Sequence, residues 1–198
     1  KLHGKRNHIN KFMQEHPDFE YKRLDPSMYD ECIEVYDEWK EGKGLSETEF
    51  ANERRSVVLA IRNMEALGLT GGVIKLDGRI KAFTIGERLR DDMQLIHIEK
   101  ADGDINGLFT MINQQYVLNE CKDVEYINRE EDMGIEGMRK AKRSYYPDYM
   151  VKKYFAAKGR LTKEELSAAR EACARTGQKY VIYYGERIHV EGAVFAEE

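Results

Sequence analysis

The sequence predicts an α+β domain in which helices flank a mixed, mostly antiparallel sheet. Two apolar, β-branched runs surround Asp77-Gly78, a dipeptide typical of a tight hairpin turn. After this hairpin the pattern alternates between strand and helix periods. At 198 residues, with 41% hydrophobic and 34% charged residues, the chain is long enough for one main core and an appendage.

Caps and apolar spacing predict the elements before the hairpin. Asp25-Pro26 supplies an N-cap with proline at the first helical position, and Ser46 with Glu49 forms a capping box. The predicted elements are a basic, weakly amphipathic helix or linker over 1–12, a strand over 19–24, a helix to about Glu41 and a second helix ending at Gly68.

The spacing of apolar residues, with either a strand or a helix period, predicts the elements from the hairpin onward. Strands are expected over 71–76, 79–86, 94–98, 124–128 and 149–156, and helices over 107–121 and 135–143. The helix over 107–121 should bury one side, formed by Phe109, Ile112, Tyr116 and Val117.

The pattern changes after Gly159. Thr162 and Glu165 form another capping box, and the helix they begin runs to Gly177. Two further runs, 180–184 and 187–194, are expected to pair across Gly185-Glu186. The sequence therefore predicts a helix-hairpin appendage over 159–198, which is either a docking or dimerising element or an extra layer on the same core.

Composition narrows the function classes. A formal net charge of −4 excludes a surface built throughout to grip a polyanion, so any nucleic-acid contact must be local. The three cysteines lack the spacing of a zinc site or a disulfide framework, and no apolar run approaches the roughly 20 residues of a membrane span. We expect a cytoplasmic protein without a metal. The opening at Lys1 suggests that sequence precedes it.

Four local sequences resemble one known family. They are KRNHINKF at 5–12, HIEKAD at 97–102, INREEDMG at 127–134 and GMRKAKRSYYP at 137–147. Over roughly 1–156 they are similar to the C-terminal catalytic family of phosphatidylglycerol lysyltransferases and its soluble relatives, which belong to the GNAT-like acyltransferase superfamily. The order of predicted elements is also that of the GNAT fold. The resemblance implies a linker helix over 1–17 from a missing N-terminal GNAT-like half, followed by a GNAT-like domain over 18–158.

The resemblance implies transfer of an acyl or aminoacyl group to an amine or hydroxyl acceptor. The donor would be acyl-CoA or aminoacyl-tRNA, entering where the strands over 94–98 and 124–128 splay apart. Backbone N–H groups and the helix dipole after the first strand would favour an anionic donor group. The donor-binding candidates are Ala101, Gly103, Asn106, Gly107 and Asn113. Asp102 and Asp104 depart from this pattern because carboxylates repel phosphates.

Three residues are candidates for catalysis. Glu99 is expected to close its strand, where a carboxylate can take the proton from an attacking amine; the alternative is an ion pair with Arg129 or Lys100. Tyr145 or Tyr146 could protonate the leaving group, as a tyrosine does in many GNAT enzymes, or could be a core or lid residue. His97 alternates with apolar strand residues, which favours a core histidine over a base.

The acceptor-binding candidates follow the strand over 124–128. Arg129 could hold a carboxylate or phosphate, and Glu130 or Glu131 could capture an amino group. Asn128 lies beside them. The alternative is that these acidic residues complement the dipole of the following helix. Basic and aromatic residues over 139–154 could meet tRNA or anionic headgroups, or could form a solvated helix face.

Two rival interpretations remain open on sequence alone. The protein could be a non-catalytic GNAT-like module that binds an amino acid, a peptide or tRNA, which the acidic donor loop favours. It could also act as a homodimer, or in association with the missing N-terminal half that the resemblance implies. A small-molecule or peptide acceptor fits the enzymatic interpretation.

Overall fold

The structure is a computed structural model, and it describes residues 2–41, 47–151, 154–158 and 179–183. The chain divides into two compact units, a first unit over residues 1–130 and a second unit over residues 131–198. The domain boundaries at 17/18 and 158/159 stay predictions.

The first unit is built on a five-stranded sheet. Its described elements are α1 (His3–Glu15), β1 (Glu20–Arg23), α2 (Tyr29–Glu41), α3 (Glu47–Arg62), β2 (Leu69–Leu76), β3 (Arg79–Arg90), β4 (Met93–Ala101), α4 (Leu108–Glu120) and β5 (Tyr126–Asn128). The strand order is β1-β2-β3-β4-β5, and every pair is antiparallel except β4 with β5. The predicted fold class, a mixed and mostly antiparallel sheet flanked by helices, is confirmed.

Local sequence signals produce two of the described turns. Asp77 and Gly78 both adopt positive φ angles, 49° and 77°, as a type I′ turn between β2 and β3 requires. Asp25 accepts a hydrogen bond from the Ser27 backbone N–H over 2.8 Å and caps the 3₁₀ turn Pro26–Met28, which leads into α2. Both predicted turns are confirmed.

Helices cover both faces of the sheet because alternate strand residues point in opposite directions. On one face Val73 and Phe83 pack with residues of α2 and α3 such as Tyr36 and Ile61. On the other face the neighbouring residue Ile74 packs with α1 and α4. That second cluster is formed by Ile9, Phe12, Ile74, Leu76, Ala82, Ala101, Leu108, Met111 and Ile112.

Two boundaries and one buried face differ clearly from the prediction. The helix expected to reach Gly68 ends at Arg62, and turns follow until Gly68, whose φ of 64° is left-handed. β4 runs on to Ala101, so Glu99 lies inside the strand and does not close it. Phe109 is 37% exposed, because the buried side of α4 is turned toward Leu108 and Met111. Ser46 of the predicted capping box lies outside the described residues.

The second unit contains α5 (Glu136–Arg143), β6 (Tyr154–Lys158) and β7 (Lys179–Tyr183) among its described elements. The helix expected over 135–143 is confirmed. The strand expected over 149–156 is displaced, because residues 149–151 are irregular. β7 matches the strand expected over 180–184, but it pairs in parallel with β6. The expected helix over 162–177 and the strand over 187–194 lie outside the described residues.

In the ranges that the structure describes, none of the helices has the combination of length and apolar character needed to cross a bilayer.

Candidate functional site

The backbone pairing between the parallel strands β4 and β5 ends after three residue pairs. Met93 pairs with Tyr126, and the last pair is Leu95 with Asn128. β4 then continues to Ala101, whereas β5 has ended. We call the region formed by Ile96–Ala101 and the two residues after β5, Arg129 and Glu130, the fork. The structure shows that β5 ends before β4 does, and the expectation that the two strands splay apart stays a prediction.

A β-bulge at His97 sets the direction of the side chains along the fork. On β3, Ile85 pairs with Ile98 and Gly86 pairs with Ile96, so His97 is the extra residue of β4. Beyond the bulge, Ile98 packs against the α2 and α3 cluster, and Lys100 donates to Glu53 of α3 over 2.8 Å. Glu99 consequently points toward α4.

Glu99 is held by two donors. Arg129 Nη2 donates to Glu99 Oε1 over 2.7 Å, and Asn113 Nδ2 of α4 donates to Oε2 over 2.8 Å. The Glu99 side chain is 12% exposed and that of Arg129 is 22% exposed. The structure thus brings together three predicted residues from three elements, in the ion pair that the sequence left as the alternative for Glu99.

Lys5 of α1 adds a second cation to this group. Burial lowers the pKa of Lys5, the nearby Arg129 guanidinium lowers it further, and Glu99 raises it. Two cations therefore share the surroundings of one carboxylate. Sequence reasoning missed Lys5, although it belongs to the KRNHINKF stretch that carried the resemblance.

His97 is not a core residue, contrary to the prediction. Its side chain is 34% exposed, its Nδ1 lies 2.8 Å from Glu130 Oε1, and its Nε2 lies 3.1 Å from Glu87 Oε1. The bulge explains the error, because an extra residue breaks the alternation on which the prediction depended. Asn128 accepts a hydrogen bond from the Glu130 backbone N–H over 2.8 Å, which turns the chain as it leaves β5.

The loop after β4 differs from a simple donor cradle. Ala101 is fully buried as the last residue of β4, so the structure places it in the core and not in the loop. Asp102 Oδ2 lies 3.4 Å from Lys81 Nζ, and its Oδ1 accepts a hydrogen bond from the Asp104 backbone N–H over 3.1 Å. Asp102 is therefore neutralised by a neighbouring strand and shapes the turn.

Gly103, Asn106 and Gly107 line a depression of about 340 Å³ together with Lys5 and His8 of α1. Asn106 Oδ1 lies 3.2 Å from His8 Nδ1. Gly107 precedes α4 with a φ of 84°, and a Cβ there would stand 2.6 Å from the His8 carbonyl oxygen. The beginning of α4 is thus in close contact with the backbone of α1.

The remaining candidates belong to the second unit. Glu131 accepts a hydrogen bond at its backbone oxygen from Lys142 Nζ, over 2.5 Å. Tyr145 is half-buried, whereas Tyr146 is 59% exposed and has a φ of 54°. The roles expected for Glu131, Tyr145 and Tyr146 stay predictions.

Comparison with known proteins agrees with the resemblance seen in the sequence. A family model described as "Phosphatidylglycerol lysyltransferase, C-terminal" matches residues 1–157. A conserved protein of unknown function from Bacteroides thetaiotaomicron shares 42% identity, with a TM-score of 0.69 over 75% of this chain and 50% of that chain. The chain therefore spans about half the length of this relative.

Two acetyltransferase structures show weaker likenesses. One, described as a proposed member of the GNAT family from Desulfovibrio desulfuricans, has a TM-score of 0.48 at 12% identity, over 65% of this chain and 82% of that chain. Another, from Clostridium acetobutylicum with acetyl-CoA, has a TM-score of 0.48 at 11% identity, over 68% and 95%. These likenesses are too weak to support an argument about the reaction. No curated protein matches. The family match covers most of the sequence, and the chain belongs to the phosphatidylglycerol lysyltransferase C-terminal family.

Proposed function

We propose that the protein transfers an acyl or aminoacyl group from an activated donor to an amine or hydroxyl acceptor, and that the fork holds the reacting carbonyl. One observation carries this proposal: β4 continues to Ala101 after its pairing with β5 ends at Leu95 and Asn128. No described strand pairs with this edge of Ile96–Ala101, so backbone groups there are available to bind an extended donor. Family membership supports the same class of reaction.

Direct attack by the acceptor is the mechanism that suits these residues. The described cysteines, Cys32 and Cys121, are both buried, and burial raises their pKa values to about 12 and about 11. Thiols in this state are poor nucleophiles at neutral pH, which argues against a covalent intermediate on either of them. The fork would contribute by holding the two substrates together and by polarising the carbonyl with backbone N–H groups.

The charged group around Glu99 suits recognition of an anionic substrate group. Lys5 and Arg129 both lie near Glu99, so two cationic side chains are present on this side of α4. Both oxygens of Glu99 already accept hydrogen bonds. Arg129 and Asn113 hold the carboxylate between the end of β5 and α4, so the contacts support Glu99 as the residue that orients Arg129 more than as a base.

The contact between α1 and α4 favours aminoacyl-tRNA over acyl-CoA as donor. A coenzyme A pyrophosphate at the beginning of α4 would compete with the His8 backbone, which already lies against Gly107. We therefore propose aminoacyl-tRNA as the first donor to test, acyl-CoA as the second, and a small molecule or peptide as acceptor.

A non-catalytic module is the second candidate function. Glu99, the residue that the sequence suggested as a base, is held in hydrogen bonds with Asn113 and Arg129. In that case the fork would bind an amino acid, a peptide or tRNA without turnover. We also retain as proposals the domain boundaries 1–17, 18–158 and 159–198, and association with a second copy or with a preceding GNAT-like half.

The test offers both donors separately to the protein, as tRNA charged with radiolabelled lysine and as radiolabelled acetyl-CoA, with a mixture of amine and hydroxyl acceptors. We expect label to move from one donor to an acceptor, and Arg129→Gln to reduce this transfer at least tenfold. Arg23→Gln is the matched control, because Arg23 is 68% exposed on β1. Saturable binding without transfer supports the module, and binding of neither donor contradicts both proposals.

A further inference from the structure

Three ionisable side chains meet at the fork outside the Glu99 group. His97 lies between Glu87 of β3 and Glu130, at 3.1 Å and 2.8 Å. The three side chains are 34%, 34% and 36% exposed, so solvent or a ligand can reach them. Among the described residues, Glu87 and Glu130 are the charged groups recorded in contact with His97. We call these three residues the His97 cluster.

Backbone features of all three strands position the His97 cluster. The bulge turns His97 out of the regular alternation of β4. Glu87 pairs with Leu95 in the register of β3, one pair from the bulge. Glu130 has a φ of 55°, and its N–H is held by the Asn128 side chain. Glu130 is a non-glycine residue in a left-handed conformation, and the bulge at His97 lies next to it. Two unusual backbone features at one place indicate that the backbone positions these side chains.

The proton count of the cluster gives it a chemical function. Both imidazole nitrogens can donate only when the ring is protonated, whereas the neutral ring has one donor and one acceptor nitrogen. With both carboxylates ionised, the cluster therefore has a net charge of −1 or −2. Either value attracts a cation and repels an anion. In the neutral state, one ring nitrogen has a lone pair facing a carboxylate, and that position suits an N–H donor from a ligand.

We propose that the His97 cluster is the acceptor site for a primary amine, and that His97 takes the proton that the amine must lose. This proposal rests on the proposed function and narrows its acceptor to amines. The incoming ammonium would enter between His97 Nε2 and Glu87, which is the longer of the two contacts. Glu130 would stay on Nδ1 and fix the orientation of the ring, as a carboxylate does for a catalytic histidine.

The transfer step balances with these groups. His97 Nε2 accepts one proton from the ammonium, which exposes the nitrogen lone pair. That nitrogen forms the new C–N bond with the donor carbonyl carbon, and the ester C–O bond or thioester C–S bond breaks. The second nitrogen proton ends on the leaving oxygen or sulfur, and His97 returns its own proton to water. Protonated His97 cannot begin this step, so transfer should become faster as pH rises until the ring is neutral.

The binding test does not depend on turnover. The probe is cadaverine, a diamine, and its control is pentanediol of equal chain length, which has the same carbon skeleton without charge. We expect cadaverine to shift the ring resonances of His97 in a saturable way, and pentanediol to leave them unchanged. His3 is the internal control, because it lies on α1 and contacts Asn7. Equal shifts with both probes, or none with cadaverine, would overturn the proposal.

Variants separate the acceptor site from general surface charge. Glu87→Gln and Glu130→Gln should each weaken cadaverine binding at least fivefold, whereas Glu20→Gln on β1 should leave it unchanged. With a working donor, His97→Asn should reduce kcat/KM for amine acceptors at least a hundredfold and remove the rise with pH, while donor binding is retained. Full activity of His97→Asn would contradict the proton-transfer role. If no donor supports transfer but cadaverine binding behaves as stated, the proposed reaction fails and the amine site stands.

Discussion

Arg129 donates from Nη2 to Glu99 Oε1 over 2.7 Å, and this bond joins the residue after β5 to the part of β4 that has separated from it. Asn113 holds the other oxygen of Glu99 from α4. The two bonds connect both arms of the fork to the helix behind it. Side-chain hydrogen bonds therefore hold these residues together beyond the point where the backbone pairing of β4 and β5 ends.

Removing Arg129 should cost stability because Glu99 would stay largely buried without its cation. We expect Arg129→Met to lower the free energy of unfolding by about 2 to 3 kcal/mol. The double variant with Glu99→Gln should recover part of this loss, because the isolated charge is gone. Urea denaturation measures each value. Arg62→Met provides the surface control, because its partner Asp30 is 81% exposed. Equal losses for the two arginine variants would show that the fork contact is unimportant.

Alanine substitutions at three glycines distinguish the cost of backbone strain from the cost of a collision with α1. Gly107→Ala should destabilise the protein by about 3 kcal/mol, from a left-handed φ and from collision with the His8 carbonyl. Gly78→Ala, also left-handed but with open space around it, should cost about 1 kcal/mol. Gly103→Ala should be almost neutral.

Hydrogen exchange in α1 is the second measurement for this series. Gly107→Ala should accelerate exchange of α1 amides more than Gly78→Ala does, because only the first substitution displaces α1. Equal exchange in the two variants would contradict the close contact between α1 and α4.

Glu31 of α2 supports the β2–β3 hairpin. Its Oε1 accepts a hydrogen bond from the Ile80 backbone N–H over 2.7 Å, and Ile80 is 2% exposed. Glu31→Ala should lower the free energy of unfolding by about 1 to 2 kcal/mol, because a buried donor loses its partner. Glu31 also pairs with Arg79, and Glu34 makes an exposed contact to the same residue. Glu34→Ala should change stability by less than about 0.5 kcal/mol. A loss of similar size in both variants would refute the specific role of Glu31.

Asp132 makes the stability of the second unit depend on pH in the acidic range. The Arg139 side chain and the Gly134 backbone N–H hold the pKa of Asp132 at about 2. Because this folded value lies below the unfolded one, near 4, the stabilisation is present above pH 4 and is lost as pH falls toward 2. Carboxyl NMR titration should show the low pKa in the intact protein and a pKa closer to the ordinary one in Arg139→Gln, in which the Gly134 N–H still lowers it. An ordinary value in both would contradict the pairing.

Sequence predicted most of the fold where one local rule decides the structure. Asp77-Gly78 forced the hairpin, since few residues tolerate two positive φ angles. Gly68 was misleading, because the same left-handed preference that ends helices also ends the run of turns found here. The parallel partner of β7 was beyond local rules, because strand pairing depends on tertiary packing.

The candidate site was predicted as separate residues more than as an arrangement. Glu99, Asn113 and Arg129 were each singled out, and the structure shows them joined by hydrogen bonds. His97 was misassigned because a single bulged residue reverses which face a strand position occupies. No sequence pattern pointed to Glu87, because only the register between β3 and β4 brings it close to His97.

We propose that the fork binds the reacting carbonyl of the donor. The most direct measurement is a crystal structure with a stable amide analogue of lysyl-adenosine, the end of a charged tRNA. We expect electron density along Ile96–Ala101, with the analogue carbonyl accepting a hydrogen bond from the β4 backbone and its anionic or polar groups near Arg129. An analogue bound elsewhere, with the edge of β4 beyond Leu95 empty, would contradict it.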